Sequence, residues 1–179
     1  MIPAFVAAMH PVHVVAMDHA ATGVILSITL EPARLPDAAA VLDREGYLLE
    51  DVMASDLTEG IEVQYHFSLL DGPTRLVLRL IVPHDAPDVP SIAAIYPGAN
   101  WHECECFDFY GIRFVGHPDL HRLLLPEDFE GHPLLKAPEA RRSLGELMPS
   151  SYCRACGLAE PDTPAAASAP AVKTGPSDA

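Results

Sequence analysis

The stretch that most constrains this chain runs from Val115 to Lys136. Glycine or proline recurs there at Gly116, Pro118, Pro126, Gly131 and Pro133. Proline has no amide donor and collides with the preceding helical turn, so it is excluded from helix interiors and central strands. The segment can therefore be neither. Yet it carries Leu120, Leu123, Leu124, Leu125 and Phe129, too much apolar surface for a plain solvated loop. It reads as an ordered, extended arm that lies on another surface. Just before it, Asn100 and Glu103 have the spacing of a capping box, and Gly111 suits a left-handed stop. That spacing predicts a helix from Asn100 to Gly111.

Upstream, the periodicity switches to two. Ile61, Val63, Tyr65, Phe67 and Leu69 alternate with Glu62, Gln64, His66 and Ser68, the pattern of a half-buried strand. Asp71-Gly72 signals a hairpin, and Arg75–Val82 reads as its partner. Further strands are predicted at 24–30 and 47–53, and a short one at 13–17. Pro36 opens a predicted helix to Glu45, closed by Gly46. Val89-Pro90-Ser91 reads as the start of a short helix ending before Pro97. The fold class is α+β: a mostly antiparallel four-stranded sheet packed on helices, followed by an extended Gly/Pro-rich arm. The predicted parts are a globular domain 1–111, the arm 112–137, an extension 138–156 and a disordered Pro/Ala-rich tail 157–179.

The chain has 179 residues and a formal net charge of −14. That balance argues against nucleic-acid or anionic-membrane binding. No apolar run approaches the roughly 18 residues of a spanning helix, and no basic leader precedes the first apolar residues. There is no GxGxxG and no GxxxxGK[ST], so no nucleotide cofactor is expected in this chain.

The chemistry-bearing residues cluster near the arm. Glu103, Glu105 and Asp108 offer carboxylates for acid–base work. No nucleophile or metal motif accompanies them, so capping and ion pairing are the better reading. On a helix, Glu105 and Asp108 would share a face, with Glu103 elsewhere. His117, His121 and His132 lie in a segment without HExxH spacing and read as partners for backbone groups at the Gly-Pro turns. Cys153 and Cys156 form a CxxC, and Cys104 and Cys106 a CxC. Together they could supply the four soft ligands of a zinc module. On a helix, however, Cys104 and Cys106 point about 200° apart, and idle or packed thiols are the better reading.

The arm also carries a resemblance. Glu103, Glu105, Asp108, Gly111-Ile112, Phe114, Gly116-His117-Pro118, Leu120, Arg122, Pro126-Glu127-Asp128, Gly131-His132-Pro133-Leu134 and Lys136 stand at fixed spacing. This pattern resembles the signature of the 30 kDa subunit family of complex-I-type NADH:quinone oxidoreductases (respiratory complex I). The same family includes a homologous component of energy-converting membrane-bound nickel–iron hydrogenases. Cys104, Tyr110, Leu135 and Ala137 depart from the pattern. The resemblance implies a non-catalytic scaffold subunit on the cytoplasmic side of a membrane complex. Flavin, iron–sulfur clusters and the quinone or nickel–iron site would then belong to partner subunits. The implied docking residues toward the large subunit are Glu103, Glu105, Asp108, His117, Pro118, Leu120, Arg122, Pro126, Glu127, Asp128, Gly131, His132, Pro133 and Lys136. Arg122, with five donors, is expected at a dry contact with that partner.

Overall fold

The computed structural model describes residues 2–72 and 74–158. The tail expected beyond Leu158 lies outside the described residues. Seven strands appear among the described residues: β1 His13–Ala16, β2 Leu26–Thr29, β3 Leu48–Leu57, β4 Gly60–Ser68, β5 Leu76–Val82, β6 Asp88–Pro90 and β7 Arg113–Val115. The helices are α1 His19–Thr22, α2 Leu35–Arg44, α3 Ala99–Tyr110, α4 Leu144–Leu147 and α5 Ser150–Cys156. The main sheet has five strands in the order β1-β2-β5-β4-β3 rather than four. All its pairings are antiparallel except β2 with β5, where Ile28 faces Leu78. The fifth strand is the short β1, paired with β2 through Val14 and Ile28.

Alternation decides which face of the sheet meets the helices. Leu26 and Ile28 of β2, Val63, Tyr65 and Phe67 of β4, and Leu76, Leu78 and Leu80 of β5 are buried together with Leu35, Ala38 and Leu42 of α2. Helix α3 lies against β3, with Cys106 in the same core. The turn between β3 and β4 requires a glycine. Gly60 sits at φ +148°, and a Cβ there would fall 2.5 Å from the Val82 carbonyl oxygen.

The other sheet face is covered as well. The segment from Leu144 to Leu158 lies across it, burying Leu144 and Tyr152 with Val15 and Leu57. Beneath this cover, Arg79 donates to Ser27 Oγ at 3.0 Å and to Glu62 Oε1 at 2.7 Å. Ser27 and Glu62 are both buried. The polar side of the alternating strands is thus a second, partly polar core rather than a wet face.

Two predicted helix boundaries move. No helix starts at Val89. Instead Val89 pairs in parallel with Phe114 of β7, and only a turn forms before Pro97, with the Ile95 and Tyr96 amides donating to the Ile92 carbonyl. Helix α3 begins at Ala99 with Gly98 as its N-cap, so Asn100 lies inside it. Its start therefore lacks the predicted capping box, because the Glu103 carboxylate is taken by Ser91 and Ile92.

One buried polar atom has no partner among the described residues, the Tyr65 hydroxyl. Burial pushes its ionisation upward, away from the phenolate. An unpaired buried hydroxyl costs folding free energy that a phenyl ring does not. Tyr65→Phe is expected to stabilise the chain by about 1 kcal/mol in urea denaturation; a destabilised variant would show that the hydroxyl is satisfied in solution.

Candidate functional site

Helix α3 presents two buried carboxylates, one to the chain that precedes it and one to the chain that follows. Glu103 Oε2 accepts from Ser91 Oγ at 2.5 Å, and Oε1 accepts from the Ile92 amide at 2.9 Å. Asp108 looks the other way along the chain. Its Oδ2 accepts from the amides of Leu123 at 3.1 Å, Leu124 at 2.8 Å and Leu125 at 2.9 Å. Its Oδ1 accepts from Arg122 Nη1 at 3.0 Å. Glu105, expected beside Asp108, is exposed instead.

The arm needs such acceptors because it has no regular ladder to join. Between Gly116 and Ala137 no helix or strand forms, and its amides must find partners one by one. Gly111 ends α3 at φ +73°, and a Cβ there would lie 2.7 Å from the His132 ring. Glycine thus serves twice, as the left-handed stop and as the floor on which His132 sits. His132 Nδ1 stands 2.9 Å from the Asp108 carbonyl oxygen and so donates to it. Its ring meets Phe107 edge-on at 6.0 Å, and the Leu134 amide donates to the Phe109 carbonyl at 3.1 Å.

His117 fixes the start of the arm. Its Nδ1 accepts from the Asp119 amide at 3.1 Å, so the ring proton is on Nε2, 3.1 Å from the Asn100 carbonyl. Its side chain is fully buried, 3.9 Å from Glu103. Leu120 packs partly against the core. His121 is exposed and stands 2.9 Å from the Asp119 carbonyl.

A further buried carboxylate, which the sequence did not mark, holds the far end. Asp56, near the end of β3, is fully buried. Its Oδ2 accepts from the Lys136 amide at 2.7 Å, and its Oδ1 faces His84 Nε2 at 2.7 Å and Arg141 Nε at 3.1 Å. These partners come from distant parts of the chain, so no local pattern exposes the role of Asp56.

Burial alone would raise these carboxyls, and the outcome depends on the partners. For Asp108, three backbone amides and Arg122 outweigh burial and hold it below the ordinary aspartate value. For Asp56, the Lys136 amide, His84 and Arg141 do the same. Around Glu103 burial prevails, and its carboxyl is raised despite Ser91, Ile92 and His117.

The remaining expected residues stand on the outside. Pro118, Pro126, Glu127, Asp128, Gly131 and Pro133 are exposed, as is Lys136. Arg122, expected at a partner contact, spends Nη1 on Asp108 and Nη2 on the Gly131 carbonyl at 3.1 Å. It therefore ties two points of the arm to α3. The cysteines are scattered: Cys106 joins the main core, and Cys104 lies near His117 and Asp119. Cys153 is buried across the other sheet face, its thiol 3.5 Å from the Gly145 carbonyl. Among the described residues, no three His, Cys, Asp or Glu side chains gather as a metal ligand set. No described helix is long and apolar enough to cross a membrane.

Residues 28–143 match the family model described as the respiratory-chain NADH dehydrogenase, 30 Kd subunit. The chain belongs to this family of complex I subunits. The C subunit of the NADH-quinone oxidoreductase of Roseiflexus sp. (strain RS-1) is 42% identical over 118 residues, covering 62% of this chain and 68% of that protein. The C/D subunit of the corresponding Methylococcus capsulatus enzyme is 40% identical over 119 residues, 66% of this chain but 19% of that protein. A chain of the membrane-bound sulfane sulfur reductase, an archaeal respiratory membrane complex, shares the fold with a TM-score of 0.57. That likeness has 22% identity and covers 68% of this chain and 74% of that one.

The Asp108 anchor sets a pH dependence. Its folded pKa lies below the unfolded value of about 3.9, so its stabilisation is complete above that value and is lost as pH falls through the lower folded one. Glu103 acts with the opposite sign, losing stability as pH rises from about 4.3 through its higher folded value. Asp108→Asn keeps the shape but removes the charge. Its expected cost at pH 7 is roughly 3 kcal/mol, the scale of a broken buried pair. Urea denaturation from pH 7 to pH 2 checks this: the variant should be weaker at pH 7 and lose less on acidification below pH 4. Parallel curves for the two proteins would remove Asp108 from the account.

Proposed function

We propose that this chain is a non-catalytic scaffold subunit of a membrane-attached NADH:quinone oxidoreductase of the complex I type. Its arm docks the large quinone-site subunit and holds it against the iron–sulfur subunits. Flavin, clusters and quinone site belong to those partners, and the chain reaches the membrane only through them.

One observation carries this reading: the arm is held firmly on its inner side and leaves large apolar side chains exposed among charged ones on its outer side. Leu124 is 59% exposed, Leu134 45%, and Phe129 and Leu135 40% each. Val115, where the arm begins, is also exposed, as is Trp101 near the start of α3. A segment already fixed by Asp108 and Asp56 loses little further entropy when it binds. Burial of each large apolar side chain against a partner would contribute about 1.5–3 kcal/mol. The docking residues proposed are accordingly the outward ones: Leu124, Glu127, Asp128, Phe129, Leu134 and Lys136. Arg122, His117 and His132 set their positions from within. The C/D-type relative adds support, because the part of it that matches this chain is joined in one polypeptide to a much longer remainder.

The test is a pull-down of the large subunit of the complex by the full chain. Leu124→Asp with Phe129→Asp should weaken capture roughly hundredfold, two burial contributions at the low end of their range. The melting temperature of the isolated chain should stay within a few degrees, because both side chains face outward. Wild-type capture by the double variant would place the docking surface elsewhere.

A further inference from the structure

A cavity of about 420 Å³ lies between the second sheet face and its C-terminal cover. This volume is in the range of pockets that enclose small molecules. Its roof is Leu147, Met148 and Pro149, residues beyond the stretch 28–143 that matches the family model. Its walls include Met17, Val24 and Val77, with Met53 at one side. Its floor holds three polar side chains, Gln64, His66 and Arg79.

The floor is partly satisfied from within. Arg79 gives Nε to Ser27 and Nη1 to Glu62, which leaves Nη2 as a donor. Gln64 Nε2 donates to Glu62 Oε2 at 2.7 Å, which leaves its carbonyl as an acceptor. His66 Nδ1 lies 2.7 Å from the Asp51 carboxylate and donates to it, which turns its Nε2 edge to the cavity. A ligand head must therefore accept from Arg79 and donate to Gln64. A hydroxyl does both. A carboxylate only accepts, and the Arg79 charge is already met by Glu62 at 2.7 Å. The three methionines favour an aromatic body, since thioether sulfur packs well at ring edges.

We propose that this cavity binds a small neutral aromatic alcohol, a phenol-like amphiphile with its hydroxyl on the Arg79–Gln64–His66 floor. The site is separate from the arm and does not depend on the docking reading. Its specificity comes from the floor and its closure from the 144–158 cover.

The experiment titrates the ¹⁵N-labelled full chain with 4-ethylphenol, with 4-ethylbenzoate as the anionic comparison. Saturable amide shifts are expected at Gln64, His66, Val77 and Met148. Gln64→Leu should weaken binding about three- to tenfold, the value of one hydrogen bond. Met148→Trp fills the roof without touching the floor and should weaken it on the order of tenfold or more. Binding of 4-ethylbenzoate should be weaker by a similar factor. The proposal is overturned by shifts that do not saturate or that map elsewhere. It is equally overturned by Met148→Trp binding as the parent does, or by the benzoate binding as well as the phenol.

Discussion

The contact on which the rest of the arm depends is the Asp108 carboxylate seated on three successive backbone amides, those of Leu123, Leu124 and Leu125. A chain segment with this many prolines and glycines cannot build its own ladder. Its amides either face water or meet fixed acceptors. Asp108 supplies one such acceptor from a helix that is itself clamped between β3 and the arm. Arg122 then balances the buried charge and reaches on to Gly131. Asp56 repeats the device at the other end, on Lys136. The arm is thereby shaped before any partner arrives.

This arrangement explains the composition of α3. The helix is covered on both sides, by β3 where Cys106 sits and by the arm where Cys104 and Asp108 sit. Its polar and apolar residues therefore do not segregate into a wet and a dry face. Glu103 and Asp108 are buried because each satisfies loop amides that have no other partner, the condition under which buried carboxylates are tolerated. Glu103 is taken up by Ser91 and Ile92, and Asp108 by Arg122 and the Leu123, Leu124 and Leu125 amides, so both carboxylates hold the chain segments on either side of α3.

Much of the fold was legible in the sequence. The alternation in 61–69 and 75–82 marked β4 and β5, and Gly111 marked the end of α3 to the residue. The breaking of periodicity after Val115 marked the arm. The parallel pairing of β2 with β5 was not legible, because the two strands are far apart in the chain and leave no local trace of each other. Apolar Val77 and Ile81 on the second face of β5 are a local trace of its cover, but nothing local pointed to Tyr152 as its centre. Asp56 escaped notice for the same reason, since His84, Lys136 and Arg141 reach it from afar. The inward role of Arg122 was missed because a donor-rich side chain between apolar residues suits a partner's surface as well as its own chain's. The expectation for 157–179 lies, beyond Leu158, outside the described residues.

The central claim is that the arm is ordered by intrachain anchors in the free subunit. Amide hydrogen exchange on the isolated full chain at pH 7 tests it most directly. The account predicts that the amides of Leu123, Leu124, Leu125 and Lys136 exchange slowly, as protected groups bonded to buried carboxylates do. Exchange of all four at the rate of an unstructured peptide would contradict it, and the arm would then acquire its shape only on its partner.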